Sequence, residues 1–267
     1  MKIHHIILFL ATLSLAIGCN SPKPENNGDD SQTETEATEP FELEVEVFSD
    51  EEENCEEECS YIELKIPVLK NGDTEVRSRI NDYVDSYVRE TVKTRLPEPI
   101  GNASFEMMCA SFLEGYELFK LEFPDSPHSW FLELNGDSSI LTDDYFTAQL
   151  MSYEYMGGAH PNSYTHLKSF DLTTGNAIDI TSKFNRENLL SLAESKFREA
   201  HSLSEKDDLN DAGFLFEDGM FHLPENMGLT PDGILLIYNA YEVAAYTVGA
   251  TIITIPYSTL KVDGEVL

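Results

Sequence analysis

Phe41-Glu-Leu-Glu-Val-Glu-Val-Phe48 alternates apolar and acidic side chains with period two, the pattern of a strand with one face buried and one face in water. Ser60 to Leu69 repeats the pattern through Tyr61, Ile62, Leu64, Ile66 and Val68, and the strongly acidic Ser49-Asp-Glu-Glu-Glu-Asn-Cys-Glu-Glu-Glu-Cys59 between them reads as a long hairpin loop. Asn71-Gly-Asp-Thr74 then supplies a turn and an N-cap. Val76, Ile80, Tyr83, Val84, Tyr87, Val88 and Val92 follow at helical spacing, and Pro97 and Pro99 close the helix. Strand pairs punctuated by single helices describe an α+β fold rather than regular α/β alternation.

Further along the chain, Leu113–Phe123 and Ser129–Leu134 read as strands, and Asn135-Gly-Asp137 as the turn into a strand region over Ile140–Tyr155. His166–Asp171 is expected as a strand, Thr173-Thr-Gly-Asn176 as a hairpin turn and Ala177–Ile180 as the returning strand. Asn185-Arg-Glu-Asn-Leu-Leu opens a second helix to about His201. The acidic 204–220 segment is expected to carry a short helix and Phe221–Leu223 a brief strand; Ile234–Tyr238 and Ala250–Pro256 finish as strands around a tyrosine-rich bend. The expected architecture is two closely packed small α+β domains, each an antiparallel sheet with a helix, over residues 41–145 and 146–267. No linker-like composition separates them.

Toward the N-terminus the chemistry changes. Lys2, His4 and His5 precede an apolar run from Ile6 to Ile17, which is short for a membrane span of ~20 residues and fits a secretory signal. Ala16-Ile17-Gly18-Cys19 resembles the bacterial lipobox, whose cysteine is acylated and becomes the mature N-terminus, although Ala16 stands where Leu is usual. Residues 1–18 are thus expected to be a lipoprotein signal peptide and Cys19 the lipidation site; the alternative is an ordinary signal peptide cut near Gly18. Residues 19–40 contain no large apolar side chain and are expected to be a disordered tether.

Of 267 residues, 17 are Lys or Arg and 49 are Asp or Glu, a formal charge of −32. Removing the signal, which holds Lys2 and no acid, moves it to −33. Such a chain repels phosphate backbones, so nucleic acid is excluded as a partner. Four cysteines are too few for a disulfide-dense scaffold. Cys55 and Cys59 are expected to form a local disulfide; Cys109 is either buried and free or the partner of one of them.

Two stretches stand out chemically. Tyr153-Glu-Tyr-Met-Gly-Gly-Ala-His-Pro-Asn162 sets two glycines before a histidine that Pro161 holds extended. His160 is a candidate base or metal ligand, or a structural histidine that satisfies backbone groups, and His166 lies close enough in sequence to approach it across a hairpin. No His-Glu-x-x-His or Cys-x-x-Cys pair supplies further zinc ligands, so no metal or other cofactor is expected. Tyr238, Tyr241 and Tyr246 with Glu242 suit either a binding surface of rigid phenols or a packed core. The acidic tracts lack the ligand spacing of a calcium loop.

Gly157-Gly-Ala-His-Pro-Asn162, Phe170-Asp-Leu-Thr-Thr-Gly175, Tyr241-Glu-Val-Ala-Ala-Tyr-Thr-Val-Gly249 and Ile255-Pro-Tyr257 with Leu260 resemble, in that order, the C-terminal domain of the RsiV/PdaC-like two-domain family. That family includes the lysozyme-sensing anti-sigma factor ectodomain and the domain pair that accompanies a peptidoglycan deacetylase. The resemblance implies that Gly158, His160, Asn162, Tyr241, Glu242, Tyr246, Pro256 and Tyr257 shape or line a shared binding surface. The family commonly has Pro where this chain has Ala240. Neither the sigma-binding segment nor the catalytic deacetylase domain is recognisable in the chain. The expectation is a non-enzymatic, lipid-anchored protein of the bacterial cell envelope, at the outer membrane or cell surface, binding a basic extracellular protein such as lysozyme or a peptidoglycan glycan. The alternative is a peptidoglycan hydrolase or deacetylase that uses His160.

Overall fold

Asp73 accepts backbone hydrogen bonds from Glu75 and Val76 at 2.9 and 3.0 Å and starts the first long helix, α1 (Thr74–Lys93). The computed structural model describes residues 39–262 with 265 and 266; the expected signal peptide, Cys19 and nearly all of the expected tether lie outside the described residues. Val76, Ile80, Val84, Val88 and Val92 recur every four residues along α1 and are all buried against the sheet it covers.

That sheet has six strands: β1 (Glu42–Glu51), β2 (Tyr61–Lys70), β3 (Phe131–Asn135), β4 (Ile140–Leu141), β5 (Tyr145–Tyr155) and β6 (Asn162–Asp171). β1 and β2 form the hairpin whose loop is closed by a Cys55–Cys59 disulfide. Cys109 is a free thiol at 0% exposure, and burial pushes its pKa up to about 12. One pairing, β2 with β3, is parallel. Parallel neighbours need a crossover, and here the crossover consists of α1 and a second helix, α2 (Phe105–Glu122).

The α2 helix occupies the segment expected as a strand over Leu113–Phe123. Its helical stripe of Phe105, Met108, Cys109, Phe112 and Tyr116 begins before that window, and Ser104 caps it by accepting from the Met107 N–H. Gly115 lets α2 approach the Pro97 ring, which a Cβ would meet at 3.1 Å. β5 pairs with β3 and β4 and, along nearly its whole length, with β6. The sheet therefore runs on to Asp171, past the sequence-based boundary at 145.

A three-stranded antiparallel sheet follows: β7 (Met227–Thr230), β8 (Gly233–Tyr238) and β9 (Thr251–Pro256). Helices α3 (Ile180–Lys183) and α4 (Arg186–Ala200) precede it. The expected strand Ala177–Ile180 shrinks to one bridge between Phe170 and Ala177, because Asp179 caps α3 by accepting from Thr181 and Ser182. Phe221–Leu223 is not a strand; Phe221 instead packs its ring 5.5 Å from Phe197. The mixed helix and sheet content is that of an α+β protein, with one hydrophobic cluster under α1 and α2 and a second around α4.

The outer edge of β6 meets the second sheet through side chains instead of a strand. Asn239 Oδ1 accepts from the Thr165 N–H at 2.8 Å and its Nδ2 donates to the Thr165 carbonyl at 3.0 Å. Asn226 accepts from the Leu167 N–H at 3.1 Å and donates to the Thr165 carbonyl at 2.7 Å. Ser169 Oγ accepts from the Leu229 N–H, and Thr147 donates to the Leu229 carbonyl, both at 2.8 Å. Buried backbone groups that a neighbouring strand would have satisfied are thus met by four buried polar side chains.

Candidate binding site

The turn between β5 and β6 holds the first set of candidates. Gly157 and Gly158 sit at φ +92° and +118°, conformations that side-chain-bearing residues rarely adopt, and a Cβ at either would meet open space. Tyr155 donates its hydroxyl to the Gly158 carbonyl at 2.9 Å. His160 follows, with its ring 3.6 Å from that of Tyr246 at an interplanar angle of 13°. Its Nδ1 lies 3.0 Å from the Pro161 carbonyl, an acceptor, so Nδ1 carries the proton. Nε2 then accepts from the Tyr241 hydroxyl at 3.2 Å. Tyr246 donates to the Pro161 carbonyl at 2.8 Å. Both imidazole nitrogens are engaged, and the ring is one layer of an aromatic stack.

The stack is presented by the bend after β8. Asn239 anchors its start to β6, and Glu242 closes it by accepting from the Asn239 N–H at 2.8 Å. Desolvation, aided by Glu225, raises the Glu242 pKa. Tyr241 has φ +68°, an unusual conformation for a bulky side chain, and is 59% exposed. The strain is held in place by the buried Asn239 and the Glu242 cap, and its result is a phenol projected into solvent beside His160. Asn162 is exposed at the start of β6, opposite Glu154.

Pro256 and Tyr257 do not join this group. Tyr238 pairs with Thr251 at the bend end of the sheet and Gly233 with Pro256 at the other end, so the length of β9, roughly 17 Å, separates them from the stack. Tyr257 instead stacks on Phe184 at 6.3 Å beside Tyr145, and burial raises its pKa. The eight residues grouped by resemblance are divided between two ends of the sheet. Nothing in their spacing along the chain showed which end each would occupy.

His166 is also apart from His160. It stacks on Tyr87 at 4.1 Å with Nε2 2.9 Å from the Tyr83 hydroxyl. Burial, with a smaller contribution from Lys168, lowers its pKa from 6.5 to about 4. Among the described residues no three His, Cys, Asp or Glu side chains converge as a metal site. The unfolded His166 binds more protons than the folded one between pH 6.5 and 4, so its neutral burial favours folding above that window and progressively less as pH falls through it. Comparing urea unfolding at pH 7 and pH 4.5, His166→Gln is expected to reduce the acid-induced loss of stability by about 2 kcal/mol. An unchanged loss would contradict the assignment.

The sequence reading missed an aromatic row on the face of the large sheet opposite α1 and α2. Tyr61, Phe131 and Tyr155 are cross-strand neighbours. The Phe131 ring lies 5.8 Å from Tyr61, 6.2 Å from Tyr155 and 5.0 Å from Tyr153. Tyr61 donates to Glu133, and its pKa is pushed up to about 12 by burial and by that carboxylate. Through Tyr155 the row reaches Gly158 and the histidine turn. Only the parallel pairing of β2 with β3, set by a long crossover, aligns these rings, so no local pattern could have shown them together.

Residues 53–163 match the family described as Deacetylase PdaC, and residues 171–258 match the family described as Protein of unknown function (DUF3298). A solved structure of a DUF3298 family member from Bacteroides fragilis NCTC 9343 aligns with TM-score 0.60 at 17% identity, covering 81% of this chain and 90% of that one. A DUF3298 family protein from Pseudomonas aeruginosa PAO1 aligns with TM-score 0.56 at 20% identity, covering 83% and 93%. At these identities the likeness is one of fold. No curated protein matches the chain. Read from N- to C-terminus, a segment that matches the PdaC family is followed by a segment that matches the DUF3298 family.

Proposed function

We propose that this protein is a lipid-anchored component of the bacterial cell envelope that binds, without catalysis, a basic extracellular protein of the lysozyme type. The observation that carries this reading is the state of His160. Its Nδ1 proton is given to the Pro161 carbonyl and its Nε2 lone pair to Tyr241, so the ring lacks the free lone pair a general base needs. The same ring, Tyr241 and Tyr246 form a pre-ordered aromatic plate, a surface type that dominates binding energy at interfaces.

Charge supports the same partner. A chain at −32 attracts a cationic protein and speeds its encounter, an effect that weakens as salt rises. Nucleic acid is repelled by the same field. Among the described residues no helix is long and apolar enough to cross a membrane, and the proposed attachment is the acyl chain on Cys19.

A pull-down with lysozyme at low and moderate salt tests the proposal. Retention that falls with salt is expected, and Tyr246→Ala is expected to weaken it at least tenfold, about 1.4 kcal/mol or more. No retention at either salt would remove lysozyme as the partner. A peptidoglycan glycan, and turnover of muropeptides by a His160-dependent activity, are the alternatives the same material can be assayed for.

A further inference from the structure

We infer that the cleft between β6 and the segment leading into β7 is a second binding site, for a short peptide ending in a free carboxylate. The cleft has a volume of about 500 Å³, and its lining includes Tyr164, Lys168, Arg186, His222 and Glu225. That size is within the ~300–1,000 Å³ typical of small-molecule sites. It is distinct from the His160 stack, shares none of the stack's residues, and does not depend on the partner proposed above.

Charge pairing marks the cleft: of the five Lys and Arg side chains without an ion pair or side-chain hydrogen bond among the described residues (Lys168, Lys183, Arg186, Lys206 and Lys261), two line it. Among the described residues most Lys and Arg side chains hold a carboxylate or a carbonyl, as Arg95 holds Glu154 and Arg79 holds Thr174. Lys168 and Arg186 form no ion pair or side-chain hydrogen bond with any described residue. In a chain where acids outnumber bases 49 to 17, two unpaired cations in one cleft are unexpected on a merely solvated surface. The fold keeps them unpaired by mounting one on β6 and the other at the start of α4. Glu225, on the opposite wall, is likewise in no ion pair with a described residue. Asp179, also in the lining, is already spent on capping α3.

The backbone adds direction. Leu167 gives its N–H to Asn226 on the outer edge of β6, so its carbonyl faces that same edge, and no described group donates to it. A short peptide in the cleft would donate one amide N–H to that carbonyl, the neighbouring groups of the edge being held already by Asn226, Asn239 and the Ile178 N–H. Its terminal carboxylate would meet Lys168 and Arg186, the guanidinium being suited to bidentate pairing, and its ammonium would meet Glu225. Tyr164, 48% exposed, offers a ring against which an apolar side chain can rest.

The probes are the dipeptide Ala-Ala, its C-terminal amide, its N-acetyl form and inorganic phosphate, titrated into the full chain while backbone amide NMR signals are followed. Ala-Ala is expected to shift signals of residues 164–168 and 222–227, with the C-terminal amide at least tenfold weaker. Lys168→Met and Arg186→Met are each expected to weaken Ala-Ala about tenfold, and Glu225→Gln to weaken it to the level of the N-acetyl form. No shift in those segments, equal binding of the amide, or phosphate binding as tight as Ala-Ala would each overturn the inference. The comparison of probes on the unmutated chain decides the matter even if a variant fails to fold. Lysozyme retention is unaffected by any of these outcomes, so failure here and failure of the proposed function are separable.

Discussion

Phe197→Ala is expected to lower the unfolding free energy by about 4 kcal/mol, the upper part of the range for emptying a large core side chain. Phe197 lies on α4 at 0% exposure, with the rings of Phe214, Phe216, Phe221 and Tyr238 all between 4.8 and 5.5 Å away and His201 at 4.7 Å. Rings that brace one another from several directions cannot collapse into the space left by a benzyl group, so the cavity persists and its cost adds to the lost burial. Chemical denaturation reads the effect as a lowered midpoint at constant slope. A loss below 1 kcal/mol would show that this cluster repacks freely. The effect also reaches the site, because the fully buried Tyr238 packs on Phe197 and leads directly into the bend that carries Tyr241 and Tyr246.

Asn239→Ala is expected to cost about 3 kcal/mol and to abolish measurable lysozyme retention. Asn239 is 4% exposed, and its amide makes two of the three hydrogen bonds described for the Thr165 backbone, including the one to its N–H. Alanine leaves the part-buried Thr165 N–H without its partner, which costs about 1–3 kcal/mol in addition to the hydrogen bond lost with the carbonyl. The Thr165 carbonyl keeps Asn226, so Asn226→Ala provides a matched control. That variant is expected to destabilise by a similar amount while keeping the tyrosine bend attached. Equal loss of lysozyme retention in both variants would mean that general loosening, not release of the bend, removes binding. The clamp matters because Tyr241 is held at a positive φ, which persists only where its surroundings impose it.

Much of the fold was legible where the pattern is local. The alternation in Phe41–Phe48 and Tyr61–Leu69, the Asp73 cap, the valine stripe of α1 and the Asn185 cap of α4 each rest on neighbours within a few residues. The misreading of Leu113–Phe123 has the same origin. Its apolar residues fit either period, and the choice of helix was made by Phe105 and Met108 upstream and by the sheet they cover. β7 was missed because Met227–Thr230 is short and contains Gly228, which lies close against Leu167 and Thr147 on the large sheet.

The candidate site divided along similar lines. His160, Tyr241 and Tyr246 were recognisable as unusual residues beside glycines and a proline, but more than eighty positions separate the histidine from its tyrosines. Their stacking depends on how β5, β6 and the bend after β8 are brought together. Pro256 and Tyr257 belong to the same resemblance and yet stand at the far end of β9. The aromatic row of Tyr61, Phe131 and Tyr155 exists only because a two-helix crossover makes β2 and β3 parallel neighbours.

By itself the sequence determined the charge of −32, the alternating strand pair and the capped valine helix, since each depends on composition or on side chains a turn or a pleat apart. Only the tertiary structure decided that His160 is one layer of an aromatic stack with both nitrogens engaged, that His166 is buried neutral against α1, and that Lys168 and Arg186 share a cleft without a carboxylate partner. These are long-range facts. They follow from the pairing of β6 with β5 on one edge and with the side chains of Asn226 and Asn239 on the other, an arrangement selected by the burial of two cores and by the cost of leaving buried backbone groups without partners.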